Sequence, residues 1–263
     1  MRISLIQMNM KPEAVDENYS RAASLIEECA AGQPDVIVLP ETWSTGFYPK
    51  EHTEALADQD GEHIRDEMGA IASKYGVNIV AGSIVNKRCE NVYNTAFIFD
   101  REGRAIASYD KTHLFSPMGE DGYFTPGDHL CRFELDGVSC GIIICYDVRF
   151  PELTRMLALE GIDVLFMVSQ WPDARADHLR TLLRARAIEN QMFVCGCNSC
   201  GRYGTTQYGG GSVLIDPWGK VIAEAGAEEE VVTGDLDLSV VEEIRSSINV
   251  FRDRRADLYH FEG

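Results

Sequence analysis

The stretch GIIICYDVRFPE, residues 141–152, carries an apolar run straight into Cys145 and then turns polar at Tyr146, Asp147 and Arg149. The run reads as a buried strand, and Pro151 suits the first position of a following helix. A thiol at that junction is either the last small apolar residue of a core or a nucleophile held at the rim of a sheet.

Working outward, short apolar runs alternate with helical spacing along the whole chain. Strands are expected at 3–8, 35–40, 77–85, 92–99, 104–109, 130–135, 138–144, 162–168, 192–197, 212–215, 220–224 and 231–236. Tyr19, Ala22 and Ile26 mark one helix, Ile64, Met68 and Ala72 a second, and 176–190 a later one. A loop at 110–129 is long for a compact domain but too apolar for disorder, with LFSPM and YFTPG in it. Residues 1–263 read as one domain of layered α/β type, with 241–263 as a charged C-terminal arm.

The net charge of −18 argues against nucleic acid and anionic membrane as partners, since both select basic surfaces. It leaves room for a small anionic ligand held by a local arginine. No run approaches the roughly 18 apolar residues of a membrane span. The first residues read as a strand rather than an export signal, so a cytoplasmic protein is expected. Its eight cysteines are then expected to be reduced thiols. The CxxC within CGCNSCG, residues 195–201, lacks a second pair to complete a zinc site, and buried thiols are the simpler reading. A redox role for Cys197 and Cys200 is the alternative.

Three polar residues stand just beyond strand-like runs: Glu41 after DVIVLP, Lys111 after AIASYD, and Cys145. Ligands of α/β folds bind near such strand ends. Brought together, the three have a use. A cation lowers the pKa of a thiol, a carboxylate takes and returns its proton, and an ammonium stabilises an oxyanion. No metal or organic cofactor is required. Taken singly, each residue has an ordinary reading: a loop glutamate, a surface lysine and a packed cysteine.

The local motifs exceed the triplet. LPETWSTGF (39–47), YDKTHLF (109–115) and CYDVRFPE (145–152) follow in order, then ARAIENQ (185–191) and GGSVLIDPWG (210–219). Together they resemble the nitrilase superfamily of carbon–nitrogen hydrolases. The resemblance implies a four-layer αββα sandwich with Cys145 as nucleophile, Glu41 as general base and acid, and Lys111 as oxyanion partner. It implies that Glu120 orients Lys111 and that the Tyr146 backbone N–H completes the oxyanion hole. Within the family the chain looks most like the ω-amidases, which hydrolyse the terminal amide of short dicarboxylate monoamides such as 2-oxoglutaramate. Such a substrate needs a cation for its far carboxylate, and Arg149 and Arg175 are the candidates. Arg149 would otherwise pair with Glu152 or Asp147, and Arg175 would otherwise lie on the surface. Phe47, Phe115, Tyr123 and Trp171 are candidate pocket walls. Family members pair through the helices near 151–160 and 176–190 with the C-terminal arm reaching across, so a homodimer or higher homo-oligomer is expected, with 241–263 packing at its interface. The same centre would also serve an N-carbamoyl hydrolase or a nitrilase. A non-catalytic binding protein that keeps the fold is the reading from another class.

Overall fold

Successive side chains of a strand point to opposite faces. Where both sets are apolar, both faces must be covered. The computed structural model, which describes residues 1–47 and 50–259, meets that demand with two sheets packed face to face and helices outside them. In chain order the elements are β1 (Arg2–Gln7), α1 (Val15–Ala30), β2 (Val36–Val38), β3 (Asp58–Gln59), α2 (Glu62–Tyr75), β4 (Asn78–Arg88), β5 (Asn91–Phe99), β6 (Ala105–Asp110), β7 (Arg132–Leu135), β8 (Val138–Ile144), α3 (Pro151–Leu159), β9 (Val164–Ser169), α4 (Ala176–Asn190), β10 (Phe193–Asn198), β11 (Cys200–Tyr203), β12 (Thr206–Gly209), β13 (Val213–Ile215), β14 (Val221–Glu224), β15 (Glu230–Asp235) and α5 (Ser239–Ser247).

One sheet runs β15-β1-β2-β4-β5-β6, with β3 beside β4, and the other runs β14-β13-β10-β9-β8-β7. The period-2 rule sorts their side chains. Ile3, Leu5, Val36 and Val38 face Ile142, Ile144, Phe166 and Val168 in the core between the sheets. Ile6, Met8 and Ile37 face away, onto α1 and α2 through Ala22, Ile26, Ile64 and Met68. Ile143, Leu165 and Met167 face α3 and α4 through Leu157, Leu179 and Leu183. The order α–β–β–α is therefore written in alternate residues of single strands.

The centres of both sheets are parallel: β1, β2 and β4 in one, β8, β9 and β10 in the other. Parallel strands align their carboxyl ends, so the residues after β2, β8 and β9 gather at one edge. The sheet edge thus becomes the natural place for a site.

Two segments differ from the sequence expectation. Residues 110–129 contain two short 3₁₀ turns, Ser116–Met118 and Glu120–Gly122. The start of the expected C-terminal arm is helix α5, with Val241 and Ile244 buried in this same chain. Gln191 and Arg245 tie that helix down, donating to the Ile248 carbonyl and to Asp163 respectively. Residues 260–263 of the arm lie outside the described residues.

Candidate active site

Glu41 follows β2 through Leu39 and Pro40 and enters a tight turn. The turn lies directly on β4: a Cβ at Gly82 would stand 2.0 Å from the Pro40 carbonyl oxygen, so only glycine fits there. Trp43 is wholly buried and its Nε1 donates to the Ala81 carbonyl at 2.7 Å, which locks the turn. Lys111 follows β6, and its backbone N–H donates to the Asn94 carbonyl on β5 at 2.9 Å. Cys145 follows β8 and has φ +48°, a left-handed conformation uncommon outside glycine. It opens the 3₁₀ turn Cys145–Arg149, so the thiol sits at a strained bend between strand and helix.

The three strand ends and Glu120 meet. Lys111 Nζ donates to Glu41 Oε1 at 2.9 Å and to both oxygens of Glu120 at 2.8 and 2.9 Å. Glu41, Lys111 and Glu120 are 4%, 2% and 2% exposed, so these charges must be balanced by one another and by hydrogen bonds. One ammonium cannot neutralise two carboxylates, and neutral donors supply the rest. Asn94 Nδ2 donates to Glu41 Oε1 at 2.9 Å, the Gln170 N–H to Glu41 Oε2 at 2.8 Å, and the Phe115 N–H to Glu120 Oε2 at 2.6 Å. Burial opposes the charge on Lys111, but the two carboxylates outweigh it and hold the ammonium well above its ordinary pKa. Cys145 is pushed well above the usual thiol range, first by burial and then by the charge of Glu41, with Lys111 acting in the other direction. The Cys145 thiol thus lies in the field of Glu41, whose carboxylate accepts from the Lys111 ammonium.

These groups line a pocket of about 500 Å³, part of it open to solvent. Phe47, Phe115, Tyr146 and Trp171 form its walls, and Arg149 and Arg175 also line it. The Arg149 guanidinium lies 4.7 Å from the Trp171 ring centre, and that of Arg175 lies 5.4 Å from Phe115. Among the described residues neither arginine has an acidic partner. Among the described residues the hydrogen-bond partner of the Arg149 guanidinium is His178 Nδ1, at 3.3 Å, and Asp147 is engaged elsewhere. Arg175 is half-buried at the pocket rather than free on the surface. Tyr123 does not join them: it is 38% exposed and outside the pocket lining.

Sequence reasoning missed Asn94, Gln170 and Asp147. Gln170 stands just past β9, where the strand-end rule used for Glu41 and Cys145 points to it as well. Asn94 is a polar residue inside a buried strand, a signal that was present in NVYNTAFIF. The CxxC thiols play no part in the pocket. Cys197 is buried in β10, Cys200 is pushed by burial up to about 12, and all eight cysteines are free. No group of three or more metal-binding side chains occurs among the described residues. Nor is any helix among them long and apolar enough to cross a membrane.

Comparison with known proteins bears on the same site. The family model for carbon-nitrogen hydrolases matches residues 2–246. The 2-oxoglutaramate amidase of Bacillus subtilis is 45% identical over 257 residues, 98% of each chain. The human omega-amidase NIT2 is 33% identical over 275 residues, 99% of this chain and 97% of that one. A solved CN-hydrolase superfamily protein of Xanthomonas campestris, with an arsenic adduct in its active site, superposes with a TM-score of 0.91 at 31% identity, covering 100% of this chain and 99% of that one. With the motifs, the sandwich and the near-complete match in accord, the chain belongs to the carbon–nitrogen hydrolase family.

Proposed function

We propose that the protein is an ω-amidase that releases ammonia from the terminal amide of short dicarboxylate monoamides, 2-oxoglutaramate among them. One observation carries the substrate class: Arg149 and Arg175, both without an acidic partner among the described residues, line the same pocket as the Cys145 thiol. A guanidinium binds a carboxylate in a bidentate fork, so the far end of the substrate has a ready partner. The similarity to the Bacillus subtilis 2-oxoglutaramate amidase supports the same reading.

The reaction runs in two halves. Cys145 Sγ attacks the amide carbon while Glu41 takes the thiol proton. Lys111 and the Tyr146 N–H hold the oxyanion, and Glu120 keeps Lys111 in place. The intermediate collapses, protonated Glu41 gives its proton to departing ammonia, and a thioester remains on Cys145. Glu41 then activates water, which attacks the thioester and releases the dicarboxylate.

Residues 1–263 act as one domain in this reading, and the chain works as a cytoplasmic homodimer. Eight free thiols fit a reducing compartment. Met156 and Leu159 on α3 and Ile188 on α4 are exposed large apolar residues, which suits burial against a second copy. A Leu159→Glu variant should shift the molecule to the monomer in light scattering; an unchanged mass would remove this face from consideration.

Ammonia release from a panel tests the substrate. The panel holds 2-oxoglutaramate, succinamate, glutamine, an N-carbamoyl amino acid and a simple nitrile. The reading requires turnover of the keto-amide and succinamate, abolished in Cys145→Ala. Preference for the carbamoyl compound or the nitrile would overturn the substrate and keep the centre.

A further inference from the structure

Asp147 lies two residues beyond Cys145 and is 0% exposed. Its carboxylate accepts five hydrogen bonds. Oδ2 takes the Ile144 N–H at 3.0 Å and the Tyr109 hydroxyl at 2.8 Å. Oδ1 takes the Thr112 hydroxyl at 3.1 Å, the His113 N–H at 2.9 Å and the His113 Nδ1–H at 2.8 Å. Burial and the Asp147 charge push the Tyr109 phenol far up, so it stays protonated and donates. His113 is fixed further by stacking on Phe150, with ring centres 3.7 Å apart.

The donors come from two places. Ile144 is the last residue of β8 and precedes the bend that carries the thiol. Tyr109, Thr112 and His113 flank Lys111 on both sides. The carboxylate therefore bridges the nucleophile's bend and the segment bearing the ammonium, which belong to different sheets. Asp147 does not line the pocket, and its carboxylate is taken up by the Ile144, Tyr109, Thr112 and His113 donors. A buried carboxylate held only for stability has no need to join these two segments, and isolated buried charge is costly.

We infer that Asp147 is a positioning residue, which sets the placement of Lys111 and the Tyr146 N–H relative to Cys145. The inference rests on the proposed Cys–Glu–Lys chemistry. Misplacement of reacting groups by about 1 Å costs on the order of a hundredfold in rate. An amide at this position offers one acceptor oxygen and presents N–H groups to the remaining donors, so Asp147→Asn disrupts the bridge without changing its size.

The test uses the full-length protein and two kinds of variant. Asp147→Asn should lower kcat by about a hundredfold or more, with KM within about threefold of the wild type. That variant risks misfolding, so Tyr109→Phe/Thr112→Val is measured beside it. This pair removes two donors and leaves every charge in place. It should lower kcat at least about tenfold, at temperatures well below its melting point. Thr112→Ser, which keeps the hydroxyl, should retain wild-type kcat. A readout independent of substrate is the pH profile of Cys145 alkylation by iodoacetamide, followed on the Cys145 peptide by mass spectrometry. In the double variant the profile should move to higher pH, because Lys111 no longer holds the thiolate. A wild type silent on all amides would end the ω-amidase reading, yet the alkylation profiles would still decide about Asp147. The inference is overturned if the double variant melts at lower temperature but keeps its kcat and its alkylation profile.

Discussion

Lys111 Nζ lies 2.9 Å from Glu41 Oε1, and both residues are almost wholly buried. The group proposed to move protons and the group proposed to hold the oxyanion are thus one ion pair, closed on its other side by Glu120. Breaking a buried pair by removing one partner typically costs about 3–5 kcal/mol. Lys111→Met leaves two carboxylates facing each other, so it should lower the melting temperature and abolish turnover together. The raised pKa of Lys111 puts its stabilising contribution on the acid side of the ordinary lysine value. It is complete below that value and lost only as pH rises through the higher folded one. The lysine's own titration therefore adds no slope near neutral pH, but the two facing carboxylates of Lys111→Met resist joint ionisation, so the stability difference from wild type in urea titrations should grow as pH rises.

Glu41→Gln separates two functions of one carboxylate. Loss of the general base should cut turnover by about 10²–10⁴-fold. The same change removes the negative charge that, after burial, most raises the Cys145 pKa, while Lys111 stays. Alkylation of Cys145 by iodoacetamide should then begin at lower pH than in the wild type. A profile moved to higher pH would mean that Glu41 does not face the thiol.

Arg149→Ala and Arg175→Ala test how the substrate's far carboxylate is held. A hydrogen bond to a charged group contributes about 1.5–3 kcal/mol, so loss of the carboxylate-binding arginine should raise KM for 2-oxoglutaramate by roughly ten- to a hundredfold. A neutral amide of the same length should be hydrolysed with unchanged KM. Equal losses on both substrates would point to packing against Trp171 and Phe115 instead.

The buried thiols predict an alkaline limit to stability. Burial pushes Cys131 and Cys200 up to about 12, and Cys140, Cys195 and Cys197 are raised as well. In the unfolded chain these thiols ionise at the ordinary value of about 8.5. Above it the unfolded state binds fewer protons than the folded one, so stability falls as pH rises from about 8.5 toward the folded values. Melting temperatures measured from pH 7 to 10.5 should be flat and then fall steeply, with more than one proton released per molecule unfolded. A flat curve throughout would contradict the burial of these thiols.

Much of this architecture was legible in the sequence because it is local. The apolar runs before Glu41, Lys111 and Cys145 are β2, β6 and β8, and their alternation assigns each side chain to a layer. What was not legible is long-range. Asn94 reaches Glu41 across 53 residues and the Gln170 N–H reaches it across 129, and no spacing rule connects them. Tyr123 looked like a pocket wall because it is aromatic in a functional loop, yet a 3₁₀ turn at Glu120–Gly122 sends the glutamate inward and leaves Tyr123 outside. The β11–β12 hairpin escaped notice because CGRYGTTQYG is short and polar, without an apolar alternation to mark it. Asp147 sat in view inside CYDVRFPE, but its five donors come from segments as far as 38 residues away.

The most direct test is to mix the enzyme with 2-oxoglutaramate, quench in acid within the first turnovers and weigh the intact protein. A covalent species heavier by the substrate less ammonia is expected, carried on the Cys145 peptide and absent from Cys145→Ala. Ammonia release at full rate from Cys145→Ala, or an adduct on any other residue, would contradict it.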